Sequence, residues 1–313
     1  MNPFGPKFFT RKIENTYTFG RTILAFAQLS VLLLTPAWAL TVPVGGGAEP
    51  SCSGAFTISA YCIGGGSPTG FSTGRVISIV ILLLVALGWR PRWTAVPHAW
   101  VTISFLHATS LPDGGEAVLA ATTILLIPLC LADGRKWSWP ARLEPGSREP
   151  LKRSDGIAAA IQWVLRSQIA GIYLHSALAK LGVADWINGS AMFYISRQHF
   201  FGATGFVGDL LKSVTNVPLG TAALTWGTII IEVLIAVLIL GTTPLRRVSV
   251  ILAIVLHVGI IIALGLWSFG LIMCGAVIIA ASLPVSSIHT RRTPHDQDDV
   301  RVEELPNKRP VAQ

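Results

Sequence analysis

The sequence predicts an all-α, polytopic transmembrane helical bundle of about eight spans, with the N- and C-termini on the cytoplasmic side. Hydrophobic residues make up 51% of the 313 residues and charged residues only 13%, about half the charged share of soluble domains. Windows such as residues 77–87 and 229–240 are apolar on almost every side, whereas a soluble helix keeps a polar face. These observations exclude a disordered protein, a nucleic-acid-binding protein and an ordinary soluble enzyme. The first expected partner is therefore the lipid bilayer.

Apolar stretches near the ~20 residues that cross a bilayer define the spans. They cover residues 20–41, 75–88, 95–110, 117–132, 157–181, 217–241, 248–265 and 267–284. Basic residues concentrate in alternate connections: before span one, after spans two, four and six, and after span eight. Cytoplasmic loops carry such an excess of Lys and Arg. The net charge of +8 therefore reflects topology and does not call for an anionic partner.

The first span has a second interpretation. Residues 21–40 have a basic flank, an apolar centre and the ending Ala37-Trp38-Ala39, which is also the pattern of a cleaved secretory signal. Cleavage after Ala39 would leave seven spans and an external N-terminus. We favour the uncleaved span because eight spans fit the alternation of charge without exception.

The segments between the spans differ in composition. Residues 1–288 are expected to form one transmembrane domain, with an outer loop at 42–74, a cytoplasmic loop at 133–156 and an outer segment at 183–216. In that outer segment, residues 191–201 mix aromatic and charged side chains, as interfacial helices do. Residues 289–313 are predicted to be a disordered cytoplasmic tail.

The outer loop holds two cysteines, Cys52 and Cys62. Both lie outside the membrane, where the setting is oxidising, so the sequence predicts a disulfide between them.

Ionisable residues inside spans are costly and usually face partners within the bundle. Counting 1.5 Å per residue from the cytoplasmic ends places Arg166, Glu232 and His257 at one depth, ~15 Å in. The sequence therefore predicts an Arg166–Glu232 ion pair with His257 beside it, and Tyr173 and His175 in the same intramembrane polar cluster. A structural clamp and a functional centre are both consistent with this pattern.

The outer end carries the candidate catalytic residues. Lys180 closes span five, Asp185 follows it, Asp113 and Glu116 lie in the turn between spans three and four, and His107 precedes that turn. A lysine partly withdrawn from water can serve as a base. The alternative is a lysine that extends along the apolar surface to reach the interface. No metal-binding pattern accompanies these residues.

Two blocks resemble the signature of HTTM-domain membrane proteins. The first has a Tyr, an apolar stretch, Lys-Leu, then Trp and Gly, and here it reads Tyr173, Lys180-Leu181, Trp186 and Gly189. The second runs from Leu256-His257-Val258-Gly259 to Trp267-Ser268-Phe269. The superfamily includes the vitamin K-dependent γ-glutamyl carboxylases and the bacterial SdpB group. Compact size and the Asp-Gly-Gly-Glu turn make the SdpB group the better match.

The resemblance implies function in two ways. In the carboxylases the matching lysine is the base that deprotonates reduced vitamin K, which implies a base role for Lys180 and a reduced quinone or vitamin K as cofactor. Those enzymes have an Asn-His pair where this sequence reads Asp113-Gly114-Gly115-Glu116, which weakens the transfer of their chemistry.

Membership of the SdpB group implies a multi-pass protein of the bacterial plasma membrane. It would mature a secreted antimicrobial peptide toxin from its precursor, together with an SdpA-like protein. A quinol-dependent enzyme and a transporter or toxin-immunity protein are the alternatives.

Overall fold

The computed structural model describes residues 6–40, 52, 54–63, 67–109, 113–139, 153–198 and 203–282. Eight long helices account for most of these residues. They are α1 (Pro6–Leu34), α2 (Pro68–Ala86), α3 (Pro91–Ala108), α4 (Gly114–Ala132), α5 (Arg153–Leu181), α6 (Pro218–Ile239), α7 (Thr243–Leu264) and α8 (Trp267–Ala281). Short helical segments lie at Ala37–Leu40, Gly54–Ile58, Ala60–Cys62, Ala184–Ile187, Ala191–Ile195 and Gly205–Thr215.

Six of the eight helices, α1, α2, α4, α5, α6 and α7, are long and apolar enough to cross a membrane. Helix α8 is apolar but has only 15 residues, and α3 is more polar because it carries Arg92, His98 and His107. The eight helices correspond one to one with the predicted spans, and the largest difference is that α1 begins at Pro6. The polytopic helical membrane bundle is confirmed.

The first and last helices are antiparallel neighbours. Gly20 packs against Gly275 and Ile279, and the Trp267 indole donates a hydrogen bond to Ser30 Oγ at 3.1 Å, near the other end of α1. The beginning of α1 and the end of α8 therefore lie on the same side of the bundle. The charge distribution predicts that this side is cytoplasmic.

Helix α8 lies at the centre of the bundle. Its residues from Ile272 to Ala280 are buried, and they pack with α1, α4, α5 and α7. A second apolar cluster joins α1, α2 and α3 with the outer loop. Because α8 contacts other helices on every side, it can be apolar all round without facing lipid.

The outer loop is fixed to the bundle. Cys52 and Cys62 form the predicted disulfide. The Trp100 indole donates to Ile58 O at 2.8 Å, and Ala60 N donates to Ser104 Oγ at 3.0 Å. Tyr61 is fully buried, and burial raises the pKa of its phenol to about 12. The loop therefore closes the outer ends of α2 and α3.

The cytoplasmic loop is described only in part. Arg90 N donates to Lys136 O at 2.8 Å and Ser138 N to Gly88 O at 2.9 Å, so residues 133–139 pack on the turn between α2 and α3. Residues 140–152 and the predicted disordered tail at 289–313 lie outside the described residues.

Helix α5 ends well before the outer end of α6. Ser176, near the end of α5, contacts Glu232, which lies in the second half of α6. The outer half of α6 is covered instead by the short helices: Gly189 packs on Ala222 and Trp226.

The predicted interfacial helix at 191–201 is helical only over Ala191–Ile195, and residues 199–201 lie outside the described part. The longer surface helix is Gly205–Thr215. Its Phe206 is 82% exposed and its Leu210 53% exposed, as expected for a helix that rests in the membrane interface.

Candidate functional site

Lys180 forms an ion pair with Glu232 between α5 and α6. Its Nζ lies 2.8 Å from Oε1 and 2.9 Å from Oε2 of Glu232, and it also donates to Ser176 Oγ at 2.7 Å. Ser176 Oγ donates in turn to Glu232 Oε1 at 3.1 Å. An ammonium group has three protons to donate, and the three contacts account for all of them.

The pair is only partly shielded. The Lys180 side chain is 19% exposed and the Glu232 side chain 8% exposed. The ammonium lies 5.3 Å from the centre of the Trp186 ring, which is within the range of a cation–π interaction. The amine is therefore oriented by a carboxylate, a hydroxyl and an indole while one side remains accessible.

A second polar contact lies next to this ion pair. Tyr173 Oη and His257 Nε2 are 2.7 Å apart, and both residues are 2% exposed. Tyr173, Ser176 and Lys180 are spaced i, i+3, i+7, so they share one face of α5. That face meets Glu232 of α6 and His257 of α7, and the three helices thus meet around one polar cluster.

The predicted Arg166–Glu232 ion pair is wrong. Arg166 donates instead to Ala280 O at 3.0 Å and Ser282 O at 2.9 Å, at the end of α8. The carbonyl groups there have no partner within the helix and carry the negative end of the helix dipole. The depth count failed because α5 has 29 residues and extends past the end of α8, so the buried Arg166 lies level with the end of α8 and not with Glu232.

His175 does not join the polar cluster. It is exposed on the outer surface of α5, because its position is two residues from Tyr173 and turns it about 200° away.

The remaining predicted catalytic residues lie in three places. Asp113 and Glu116 line a cavity of about 220 Å³ with Phe105 and Trp267, and Lys180 is not among the lining residues. Asp185 is exposed and accepts a hydrogen bond from Ser190 Oγ at 3.4 Å.

His107 is also exposed. Its ring centre lies 4.4 Å from that of Phe56, on the disulfide loop. The predicted single centre is therefore divided: Lys180 has its own carboxylate partner, and the acidic turn belongs to a separate cavity.

The two motif residues after Lys180 have defined positions. Trp186 faces the Lys180 ammonium. Gly189 has φ +76° and lies against Ala222 and Trp226 of α6; glycine adopts this left-handed conformation without steric cost. Together they hold the segment after α5 against α6.

Ser176 and the Lys180–Glu232 pairing were not predicted. The i, i+4 spacing of Ser176 and Lys180 is a signal that was available in the sequence. The pairing with Glu232 was not available, because it depends on how far α5 and α6 slide past each other.

The fold and this cluster define a polytopic helical membrane protein with a lysine–carboxylate pair held between two of its helices. The chain belongs to the HTTM domain family, whose sequence model matches residues 118–282. The match includes α5 to α8 and every residue of the polar cluster.

Two bacterial relatives cover most of the chain. It is 34% identical over 267 residues to the uncharacterized protein YitO of Bacillus subtilis (strain 168), covering 85% of this chain and 84% of that protein. It is 29% identical over 266 residues to the sporulation-delaying protein SdpB of the same organism, covering 85% and 80%. No solved structure matches the chain. This is therefore an SdpB-like, multi-pass membrane protein.

Proposed function

We propose that this protein acts in the bacterial plasma membrane to produce a secreted antimicrobial peptide toxin, together with an SdpA-like protein and the toxin precursor. The proposal is supported by the similarity to the sporulation-delaying protein SdpB over 85% of the chain. The observation that carries the site assignment is the partly accessible Lys180 amine between Ser176 and Glu232.

The cluster is suited to moving a proton. Transfer of one proton from Lys180 Nζ to Glu232 leaves a neutral amine beside a neutral carboxylic acid. The amine then accepts a proton from a bound substrate, and Glu232 gives its proton to the deprotonated substrate or to the product formed from it, which restores the ammonium–carboxylate pair. Ser176 keeps both groups aligned by bonding to each of them.

Replacement of Lys180 by arginine tests this role. Arginine keeps a cation for Glu232 but is not deprotonated in proteins, so Lys180→Arg should abolish toxin production while the amount of membrane protein stays normal. The measurement is growth inhibition of sensitive cells around a host that makes the precursor, the SdpA-like protein and each variant, with immunoblots of the membranes.

Lys212→Arg is the matched control, because Lys212 is an exposed lysine of the outer segment that follows Lys180 in the chain. Toxin production should be unchanged in this variant. If both Lys180→Arg and Lys180→Met give wild-type inhibition at normal protein levels, Lys180 has no chemical role.

A quinol-dependent reaction of the carboxylase type is the second candidate. It is favoured by the exposed apolar side chains of Leu181, Val183 and Ile187, which follow Lys180 and suit a lipid-soluble ring. A bound reduced quinone would supply an acidic hydroxyl for the Lys180 amine to deprotonate. Saturable binding of reduced menaquinone to the wild type but not to Lys180→Met is expected, and equal binding to both would contradict this candidate.

A further inference from the structure

The cavity at the outer end of α4 contains an incompletely paired carboxylate. Glu116 is 8% exposed, and its Oε2 has no hydrogen-bond partner among the described residues. A buried carboxylate oxygen without a partner is costly. Glu116 lines the cavity, so a ligand there can supply the missing partner.

A second carboxyl group lies at the same place: the Asp113 side chain hydrogen-bonds to Glu116, so the two groups share one proton and the pair carries a single negative charge. Asp113 begins α4, and its Oδ1 accepts from the backbone N–H groups of Gly115 at 2.6 Å and Glu116 at 3.3 Å. Among the described residues that line the cavity, none is a lysine or an arginine. Arg75 donates to the backbone oxygens of Leu32 and Thr35 and is not part of the lining. The cavity therefore attracts a cation.

The rest of the lining selects the kind of cation. Thr35, Thr109 and Ser268 supply hydroxyl groups that can accept hydrogen bonds, and Phe105, Trp267, Val31 and Leu40 supply aromatic and aliphatic surface. Calcium and magnesium need about six oxygen ligands, and the described residues contain no cluster of three or more His, Cys, Asp or Glu side chains that could hold a metal ion. An alkylammonium head instead donates three hydrogen bonds to carboxyl and hydroxyl oxygens, while its chain contacts the apolar walls and aromatic rings attract it. A cavity of about 220 Å³ has room for such a group.

We infer that this cavity binds the protonated primary amine of a peptide, with the carboxyl pair of Glu116 and Asp113 as its hydrogen-bond acceptor and Phe105 and Trp267 as its walls. The amine is an amino terminus or a lysine side chain, and its assignment to a peptide rests on the proposed function. The site shares no residue with the Lys180 cluster, so its test stands apart from the proposed function.

The experiment measures the thermal midpoint of the purified, detergent-solubilised full chain against n-butylammonium. Binding to the native state raises the midpoint in a saturable way. Glu116→Gln should raise the n-butylammonium concentration at half-saturation about tenfold or more, since it removes a charged hydrogen-bond partner. Asp113→Asn should also weaken it, and asparagine still caps the helix. Asp185→Asn, which removes an exposed acid away from the cavity, should have no effect, and 1-butanol should not bind.

A second readout does not depend on any variant folding. Dicyclohexylcarbodiimide modification of wild-type Glu116, located by mass spectrometry, should decrease when n-butylammonium is present. Triglycine amide and acetyl-Gly-Lys-Gly amide then distinguish an amino terminus from a lysine side chain.

Three results would overturn the inference. The first is that the wild type and Glu116→Gln bind n-butylammonium equally well. The second is that n-butylammonium does not protect Glu116 from modification. The third is that calcium or magnesium chloride raises the thermal midpoint and n-butylammonium does not.

Discussion

At the scale of single residues, pairing decides what each ionisable group can do. Glu232 is 8% exposed at its side chain, and a carboxylate at that depth is stable only with a partner. Lys180 and Ser176 supply it. Arg166 satisfies the end of α8 instead, so each of the two cations stabilises a different part of the bundle.

A double-mutant cycle tests the pairing of Lys180 with Glu232. Lys180→Met alone and Glu232→Gln alone each strand one charge. Each should lower the free energy of unfolding by about 3–5 kcal/mol. The double variant should lose less than the sum of the two, because no stranded charge remains. The measurement is unfolding of the purified protein in detergent, with Lys212→Met as an exposed-lysine control. Additive losses would show that the two residues are not coupled.

At the scale of elements, close helix approach depends on small residues. A Cβ added at Gly20 would lie 2.6 Å from Ile279 Cγ1 and 2.8 Å from Gly275 O. Small residues at facing positions allow helix backbones in membranes to approach closely. The position of α8 at the centre of the bundle therefore depends in part on the missing side chain at Gly20.

Gly20→Ala should accordingly reduce thermal stability, because α1 and α8 must separate to admit the methyl group. Gly171→Ala is the control: Gly171 also lies within a helix, and a Cβ there meets nothing within 4 Å. It should be neutral or slightly stabilising, since alanine favours helix. Thermal midpoints of both variants in one detergent provide the comparison, and equal losses would contradict the packing argument.

Several helix ends depend on local sequence, although α1 and α2 begin at Pro6 and Pro68, well before the predicted starts at residues 20 and 75. Pro91 begins α3, Asp113 caps α4, and Gly265 ends α7 with φ +73°. The relative shift of two helices along their axes is different, since it depends on side chains far apart in the chain. Counting residues from span ends therefore gave the wrong partner for Glu232.

At the scale of the whole molecule, the two ends of the bundle differ in construction. The outer end carries the disulfide loop on α2 and α3 and the short helices that cover the outer half of α6. The opposite end has the connection at 133–139 bound to the turn at 87–90. The charge distribution predicts that the disulfide end faces the cell exterior.

Sided labelling tests this orientation. In intact cells, an impermeant reductant followed by an impermeant maleimide should label Cys52 and Cys62, whereas Cys130 and Cys274 are buried and should remain unlabelled. If labelling requires permeabilised cells, the orientation in the membrane is the opposite of the predicted one.

The double variant Cys52→Ser/Cys62→Ser should have a free energy of unfolding lower by up to about 3 kcal/mol in the chain-entropy model. The difference in the free energy of unfolding between oxidised and reduced wild-type protein should be the same.

The sequence by itself determined the membrane class, the eight helices, the disulfide and the family, because apolar length, charge alternation and short motifs are local properties of a chain. It also identified Lys180, Asp113 and Glu116 as residues of interest. Only the tertiary structure decided that Lys180 pairs with Glu232 and that the acidic turn lines a cavity of its own. Those assignments depend on the tilt and axial shift of packed helices, which are set by the summed contacts of many side chains and leave no local signal in the sequence.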